Sequence, residues 1–346
     1  TLGASYDSAS KGVRGTGVAN LSQGDHALMV GASLANIDDY KAPDGRVDRT
    51  GYDSNAFIGQ YRFRIDGQNQ LRLSLQQQKD EDVWYPGSTK SFRHPNPAIA
   101  TAVGTTTVHS PNQERILAEL GFSHKGSGER PLNFDIRAYS QNMKREIYAW
   151  SNRLNRNINT THVEFDTDGF DAKADWLIHP QHLLSFGLNT WRMDASPKRM
   201  IANPPNTTNY VRSDPFDDGR ITAIGTYLQD DMRFGKLNVL AAGRYDKVTG
   251  DADSIANSSN PLGARRTTGL DRDDGAFSGS LGASYEIDPL LRPYASLSRG
   301  FRAGEMRERY ESSLRGDGYY YVGNPQIKPE ISTQLELGIK GQSDRI

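Results

Sequence analysis

The chain has 346 residues, with 41 basic against 42 acidic side chains, a net charge of −1 and no cysteine. That balance gives no electrostatic footprint for a nucleic-acid partner, and the absence of cysteine excludes a disulfide framework and thiolate metal sites. Only 36% of residues are hydrophobic, mean hydropathy is −0.69 and 34 residues are glycine, which is poor for a packed soluble core but suits a sheet with one face in lipid and one in water.

The longest apolar run, residues 27–32, is about six residues against the roughly 20 of a membrane-spanning helix, so any crossing must use strands. No change in composition divides the chain, and one architecture is expected over residues 1–346. The opening Thr1-Leu2-Gly3-Ala4-Ser5-Tyr6-Asp7 already reads as a strand. The expectation is the interior of a mature protein, or a chain trimmed at both ends.

Further along, Phe57, Gly59, Tyr61, Phe63 and Ile65 alternate with Ile58, Gln60, Arg62 and Arg64. After Asp66-Gly67-Gln68-Asn69 the alternation resumes with Leu71, Leu73 and Leu75 against Gln70, Arg72, Ser74 and Gln76. This predicts a hairpin with a tight polar turn. The same period of two returns over residues 184–189, 237–246, 277–287, 291–301 and 334–340, the mark of half-buried strands.

Connection lengths alternate as well. Short ones fall near residues 22–24, 66–69, 124–131, 179–182, 234–236 and 288–290. Long ones, rich in Gly, Pro, Asn, Asp and Ser, cover 38–53, 83–113, 150–159, 194–218, 249–275 and 302–328. Short turns at one end and long loops at the other predict an all-β fold, an antiparallel transmembrane β-barrel of about fourteen strands with periplasmic turns and extracellular loops.

Two long loops concentrate aromatic and basic side chains. Residues 302–328 hold Tyr310, Tyr319, Tyr320 and Tyr321 with Arg302, Arg307, Arg309 and Arg315, and residues 83–113 hold Trp84, Tyr85, Arg93, His94 and His109. Rings that stack and guanidiniums that pair suit a bulky, partly anionic chelate. The plainer readings are a membrane-interface girdle, a self-packed loop and solvated histidines. The clusters Asp166, Asp168, Asp171 and Asp175, and Asp271, Asp273 and Asp274, lack the spacing of a calcium loop. His179 and His182 flank a short turn and carry little weight as metal ligands. No nucleophile elbow, phosphate loop or paired His-Glu motif is visible, so no enzyme and no intrinsic cofactor or metal is expected.

One stretch carries a family resemblance. Ser298-Arg299-Gly300-Phe301-Arg302-Ala303, then Gly323-Asn324-Pro325-Gln326-Ile327-Lys328-Pro329-Glu330 and Leu335-Glu336-Leu337-Gly338, resemble the signature of TonB-dependent outer-membrane receptors, with Gly304 where a proline is usual. Elsewhere the likeness is architectural. It implies a 22-stranded barrel whose lumen holds an amino-terminal plug, of which this chain would be strands one to fourteen without plug, final strands or coupling segment. The implied function is energy-coupled import of a ferric siderophore across the bacterial outer membrane. The implied partners are outer-membrane lipid, the iron chelate and the inner-membrane TonB complex.

Haem receptors of the family resemble one another in placing a histidine between these motifs, whereas no histidine occurs from Arg302 to Ile346. A haem ligand would therefore rest on His94 and His109. A passive porin-like barrel and a soluble β protein are rival readings of the same strand pattern. The expected ligand surface is Trp84, Tyr85, Arg93, His94, His109, Tyr310, Arg315, Tyr319, Tyr320 and Tyr321. Phe301, Arg302, Ala303, Gly323, Asn324, Pro325, Lys328, Pro329 and Glu330 are expected to be structural. Pro325 and Pro329 fix φ and withhold backbone donors, so strand pairing is expected to resume only after Glu330.

Overall fold

A computed structural model describes residues 1–85, 106–151, 156–202, 209–257, 263–314 and 320–342. The chain forms β1 (Leu2–Asp7), β2 (Gly12–Gln23), β3 (His26–Ile37), the small hairpin β4 (Lys41–Ala42) and β5 (Gly45–Arg46), β6 (Tyr52–Arg64), β7 (Asn69–Trp84), β8 (Thr106–His124), β9 (Leu132–Ser151), β10 (Arg156–His179) and β11 (His182–Ala195). It continues through β12 (Lys198–Ala202), β13 (Tyr210–Arg212), β14 (Phe216–Asp217), β15 (Gly219–Phe234), β16 (Leu237–Asp251), β17 (Ser254–Ile255), β18 (Arg272–Tyr285) and β19 (Arg292–Arg302). The last elements are α1 (Met306–Tyr310), β20 (Ser312–Leu314), β21 (Tyr320–Val322) and β22 (Glu330–Lys340).

The long strands make one antiparallel meander, β1-β2-β3-β6-β7-β8-β9-β10-β11-β15-β16-β18-β19-β22, with β1 and β22 as its edges. These are the fourteen strands that the alternation predicts. Their ladders allow the apolar face to be followed row by row. His26, Phe63, Leu71, Phe122 and Ile136 stand side by side, then Leu28, Tyr61, Leu73, Leu120 and Ala138, then Val30, Gly59, Leu75, Ala118 and Ser140. A half-turn of strand away, the other face of the same ladders carries Arg62, Arg72 and Arg137. There Arg137 pairs with Asp171 and approaches Glu119 at 3.9 Å, which also lies 4.0 Å from Arg72. An apolar outer wall and an ion-paired inner wall are what a barrel with lipid outside and water inside requires.

The short-turn end of the outer wall carries rings in contact. His26 stacks on Phe63 with centroids 5.0 Å apart, His124 on Phe134 at 4.9 Å, and His182 meets Phe234 edge-on at 5.5 Å. Such a row marks the level where hydrocarbon gives way to headgroups. On the inner face, Tyr139, Tyr227 and Tyr294 lie over Gly169, Gly187 and Gly338 of the neighbouring strands. A Cβ on these glycines would come within 2.2, 2.6 and 2.5 Å of the rings, so each tyrosine covers backbone that only glycine leaves open.

Toward the long-loop end the strands outrun the hydrophobic alternation. On β7 the outer row changes from Leu71, Leu73 and Leu75 to Gln77, Lys79 and Glu81, and on β10 from Phe170 to Asp168, Asp166 and Glu164, while the ladders continue. The 83–113 loop is therefore shorter than the sequence indicates, because β7 reaches Trp84 and β8 begins at Thr106. Backbone pairing needs no apolar face once both sides of the strand meet water. Irregularities cluster at this level: register shifts lie between His109 and Gln113 and between Thr160 and Val163, and Asp82 has φ of 56°. Bulges of this kind re-aim side chains at the ends of strands.

Candidate functional site

The connection between β19 and β22 forms a strap that folds back against the inner wall. Trp191, Ala223, Val248 and Asp274 form one row on that wall. A buried cluster of Ala195, Phe216, Ile221, Ala223, Val248, Ile255, Leu270, Met306 and Tyr310 joins the row to α1. The only compact hydrophobic core among the described residues is thus at the long-loop end, beneath the strap.

Arg309 fastens the strap to the wall. Its Nη2 donates to Asp274 Oδ2 at 2.7 Å and its Nε to the Gly304 carbonyl at 2.7 Å, with the Arg309 and Asp274 side chains only 0% and 2% exposed. Arg272 also donates to Asp274, at 2.7 Å. The Tyr310 hydroxyl donates to the Leu270 carbonyl at 3.2 Å, and burial pushes its pKa up. Tyr310 therefore belongs to this core, which corrects the expectation of an external ligand contact. A hydrophobic ring with one satisfied hydroxyl packs more favourably there than in water.

The signature residues build the strap. Arg302 donates to Glu308 and Glu330, all four bonds at 2.9 Å. Glu308 also accepts from the Glu305 backbone at 2.8 Å and closes a capping box on α1. Asn324 donates its backbone N–H to the Glu308 carbonyl at 2.8 Å and accepts from Gln326 at 3.0 Å, and Pro325 is fully buried. Lys328 is exposed, and pairing resumes at Glu330 itself, opposite Arg302, one residue earlier than expected. A Cβ on Gly304 would lie 2.5 Å from Ile327 Cγ2, which accounts for glycine at that position.

Hydrogen bonds from Arg302 and from the Glu305 backbone hold the Glu308 carboxyl below the usual glutamate range. A depressed carboxylate stabilises the folded form above its unfolded pKa, and the contribution is lost as pH falls through the folded value. Amide protection factors over residues 303–314 and 320–329, corrected for the intrinsic exchange rate at each pH, are therefore expected to fall once pH drops below about 4.3, the ordinary glutamate value, while the β7–β10 ladders stay protected. An equal fall in both regions would refute a local Arg302 clasp.

A second cluster stands where β7 and β8 end. Trp84 and His109 stack with centroids 4.0 Å apart at 17°, and the Arg49 guanidinium lies 5.0 Å from the Trp84 centroid. His109 Nε2 is 3.2 Å from Asp82 Oδ1. Tyr85 receives a hydrogen bond from Arg145, whose guanidinium sits 5.2 Å from the ring centroid, and another from Gln113 Nε2 at 3.3 Å. The structure thus brings Trp84 and His109 together, while Tyr85 meets Arg145 and Gln113. Tyr321 is 39% exposed on β21, Tyr320 shares that strand, and Arg93, His94, Arg315 and Tyr319 lie outside the described residues.

Sequence reasoning missed Arg49, Asp82 and Arg145, and named Asp274 only as a member of an acidic cluster. Arg49 and Arg145 follow no motif. Asp274 offered one signal, the Arg272-x-Asp274 spacing that puts both on one face of a strand. The acidic clusters have specific partners: Asp171 binds Arg137, Asp175 accepts from Ser185, and Asp274 binds Arg272 and Arg309.

An antiparallel barrel wall with lipid outside, charge inside and a strap folded into its mouth defines a class of membrane receptor barrel. The family model described as "TonB dependent receptor-like, beta-barrel" matches residues 5–346, and the chain belongs to this family. No curated protein matches it in sequence. Among solved structures it resembles a copper transporter, OprC, with a TM-score of 0.77 at 14% identity over 99% of this chain and 50% of that one. It also resembles the hemophore receptor HasR of Serratia marcescens, solved with its hemophore and heme, with a TM-score of 0.69 at 18% identity over 98% and 50% of the chains. The ferric yersiniabactin uptake receptor FyuA of Yersinia pestis gives 0.64 at 13% over 96% and 50%. The chain spans about half the length of these structures.

Proposed function

We propose that the chain is the ligand-capturing part of an outer-membrane receptor that imports a ferric siderophore by coupling to an inner-membrane TonB complex. The observation that carries this reading is the Trp84–His109 stack with Arg49 on the ring, set at the long-loop end of a wall of the TonB-dependent family. Stacked rings beside guanidiniums give flat contact area and positive charge together, which an anionic chelate needs. The remaining ligand surface is Tyr85 with Tyr320 and Tyr321, joined by Arg93, His94, Arg315 and Tyr319. The long loops are extracellular, the short turns periplasmic, and a plug fills the lumen.

A haem ligand is the second reading, favoured by one contact. With Asp82 on Nε2, His109 keeps Nδ1 as its lone-pair nitrogen, the arrangement in which a carboxylate orients a metal-binding imidazole.

Tryptophan fluorescence of the full-length, detergent-purified protein, titrated with ferric siderophores, haem and cobalamin, decides between them. Saturable quenching by one ferric chelate is expected. Quenching by haem alone, abolished in His109→Ala, replaces the first reading with the second, and a flat response across the panel overturns both.

A further inference from the structure

The outer wall is not uniformly convex. On its short-turn half a groove of about 590 Å³ crosses β6–β9, within the range of small-molecule sites. Its floor is Gly59, Ala118 and Ala138, its walls include Leu73 and Leu120, and Tyr61 stands at its lower end. The registers explain the depression. Gly59 lies between Val30 and Leu75, Ala118 between Leu75 and Ser140, and Ala138 beside Leu120, so backbone is bared at these three positions while the leucines around them stand out from the sheet.

At the foot of the groove the Tyr61 hydroxyl meets His26 Nδ1 at 2.6 Å, and the His26 ring stacks on Phe63. This contact differs from those of His124 and His182. His124 Nδ1 faces the Asn69 carbonyl oxygen and His182 Nδ1 faces an Asp230 carboxylate oxygen, each at 2.8 Å. Those acceptors put the hydrogen on Nδ1. A hydroxyl can donate as well as accept, and with Tyr61 donating to Nδ1 a neutral His26 carries its hydrogen on Nε2, which makes that edge a donor. The nearby Asp25 carboxylate lies 3.9 Å from Arg64, which offsets its charge.

We propose that this groove is a specific seat for one phosphodiester lipid of the inner leaflet, with an acyl chain along Gly59, Ala118 and Ala138 and a phosphate oxygen accepting from His26 Nε2. The occupant follows from position. The groove opens within the lipid-facing apolar rows, and its polar end coincides with the ring row that marks the headgroup level. The inference rests on the membrane placement of the barrel and is independent of which ligand is imported.

Native mass spectrometry of the full-length protein tests it, with palmitoyl-oleoyl phosphatidylglycerol and the matching diacylglycerol, which lacks phosphate, as probes. The wild type is expected to keep one phosphatidylglycerol at collision energies that strip the others. Ala118→Leu, which fills the floor, should lower that retention at least tenfold. His26→Phe should lower it for phosphatidylglycerol and not for diacylglycerol. Gly59→Leu gives a second filling from another strand should Ala118→Leu fail to reach its heat-modifiable folded form. Undiminished retention by a folded, filled variant overturns the seat, and equal loss of both probes in His26→Phe overturns the phosphate contact. A retained lipid with a flat chelate titration would remove the import reading and leave the seat standing.

Discussion

Arg309→Ala in the full-length protein is expected to free the strap while leaving the barrel folded. Removing one member of a buried ion pair strands the other charge, at a typical cost of about 3–5 kcal/mol. Asp274 keeps its bond to Arg272, so the lower end of that range applies. That is about three times the net worth of any one neutral hydrogen bond of the strap, about 1 kcal/mol, and leaves the exposed Arg302 bonds as its chief polar anchor. Amide protection over residues 303–314 and 320–329 should therefore collapse, and protease should cut there first. The double change Arg309→Met with Asp274→Leu should recover much of the protection, because it leaves no charge of the pair stranded. Undisturbed protection in Arg309→Ala would show that the Met306 and Tyr310 contacts hold the strap without the ion pair.

The second large effect is expected at Trp84. Trp84→Ala removes the surface on which His109 and Arg49 are both arranged. Under the proposed function it should weaken ferric chelate binding by about 2 kcal/mol, the threshold of an interface hot spot, or roughly 30-fold. Trp84→Phe keeps a stacking face and should lose much less. Binding within twofold of wild type in Trp84→Ala, measured by isothermal titration so that the lost fluorophore does not matter, would move the ligand surface to the strap.

Legibility in the sequence followed the physics of each region. Leu71, Leu73 and Leu75 announce a strand because lipid on one side and water on the other impose a period of two. Lys79 and Glu81 continue the same strand, yet both faces there meet water, so only the hydrogen-bond ladder records it and a ladder leaves no mark in residue type. The Phe301 to Glu330 signature was readable because its spacing is local. Its anchor was not, since Arg309 and Asp274 are 35 residues apart and meet only because β18 lies beside β19. Tyr310 was misplaced for a related reason: an aromatic residue in a polar loop looks the same whether it awaits a ligand or fills a core. Gly304 read as a departure from the family pattern until Ile327 showed the space to be taken.

The unequal strand lengths have a further consequence. β10 has 24 residues and β9 has 20, against 12 in β2 and in β3. At about 3.3 Å per residue the longest exceeds the shortest of these by roughly 40 Å along the strand, reduced somewhat by tilt. The vessel's lip is oblique. Under the proposed function, with the long-loop end facing outward, a large visitor such as a carrier protein would meet the β8–β10 crest well before it could touch the strap.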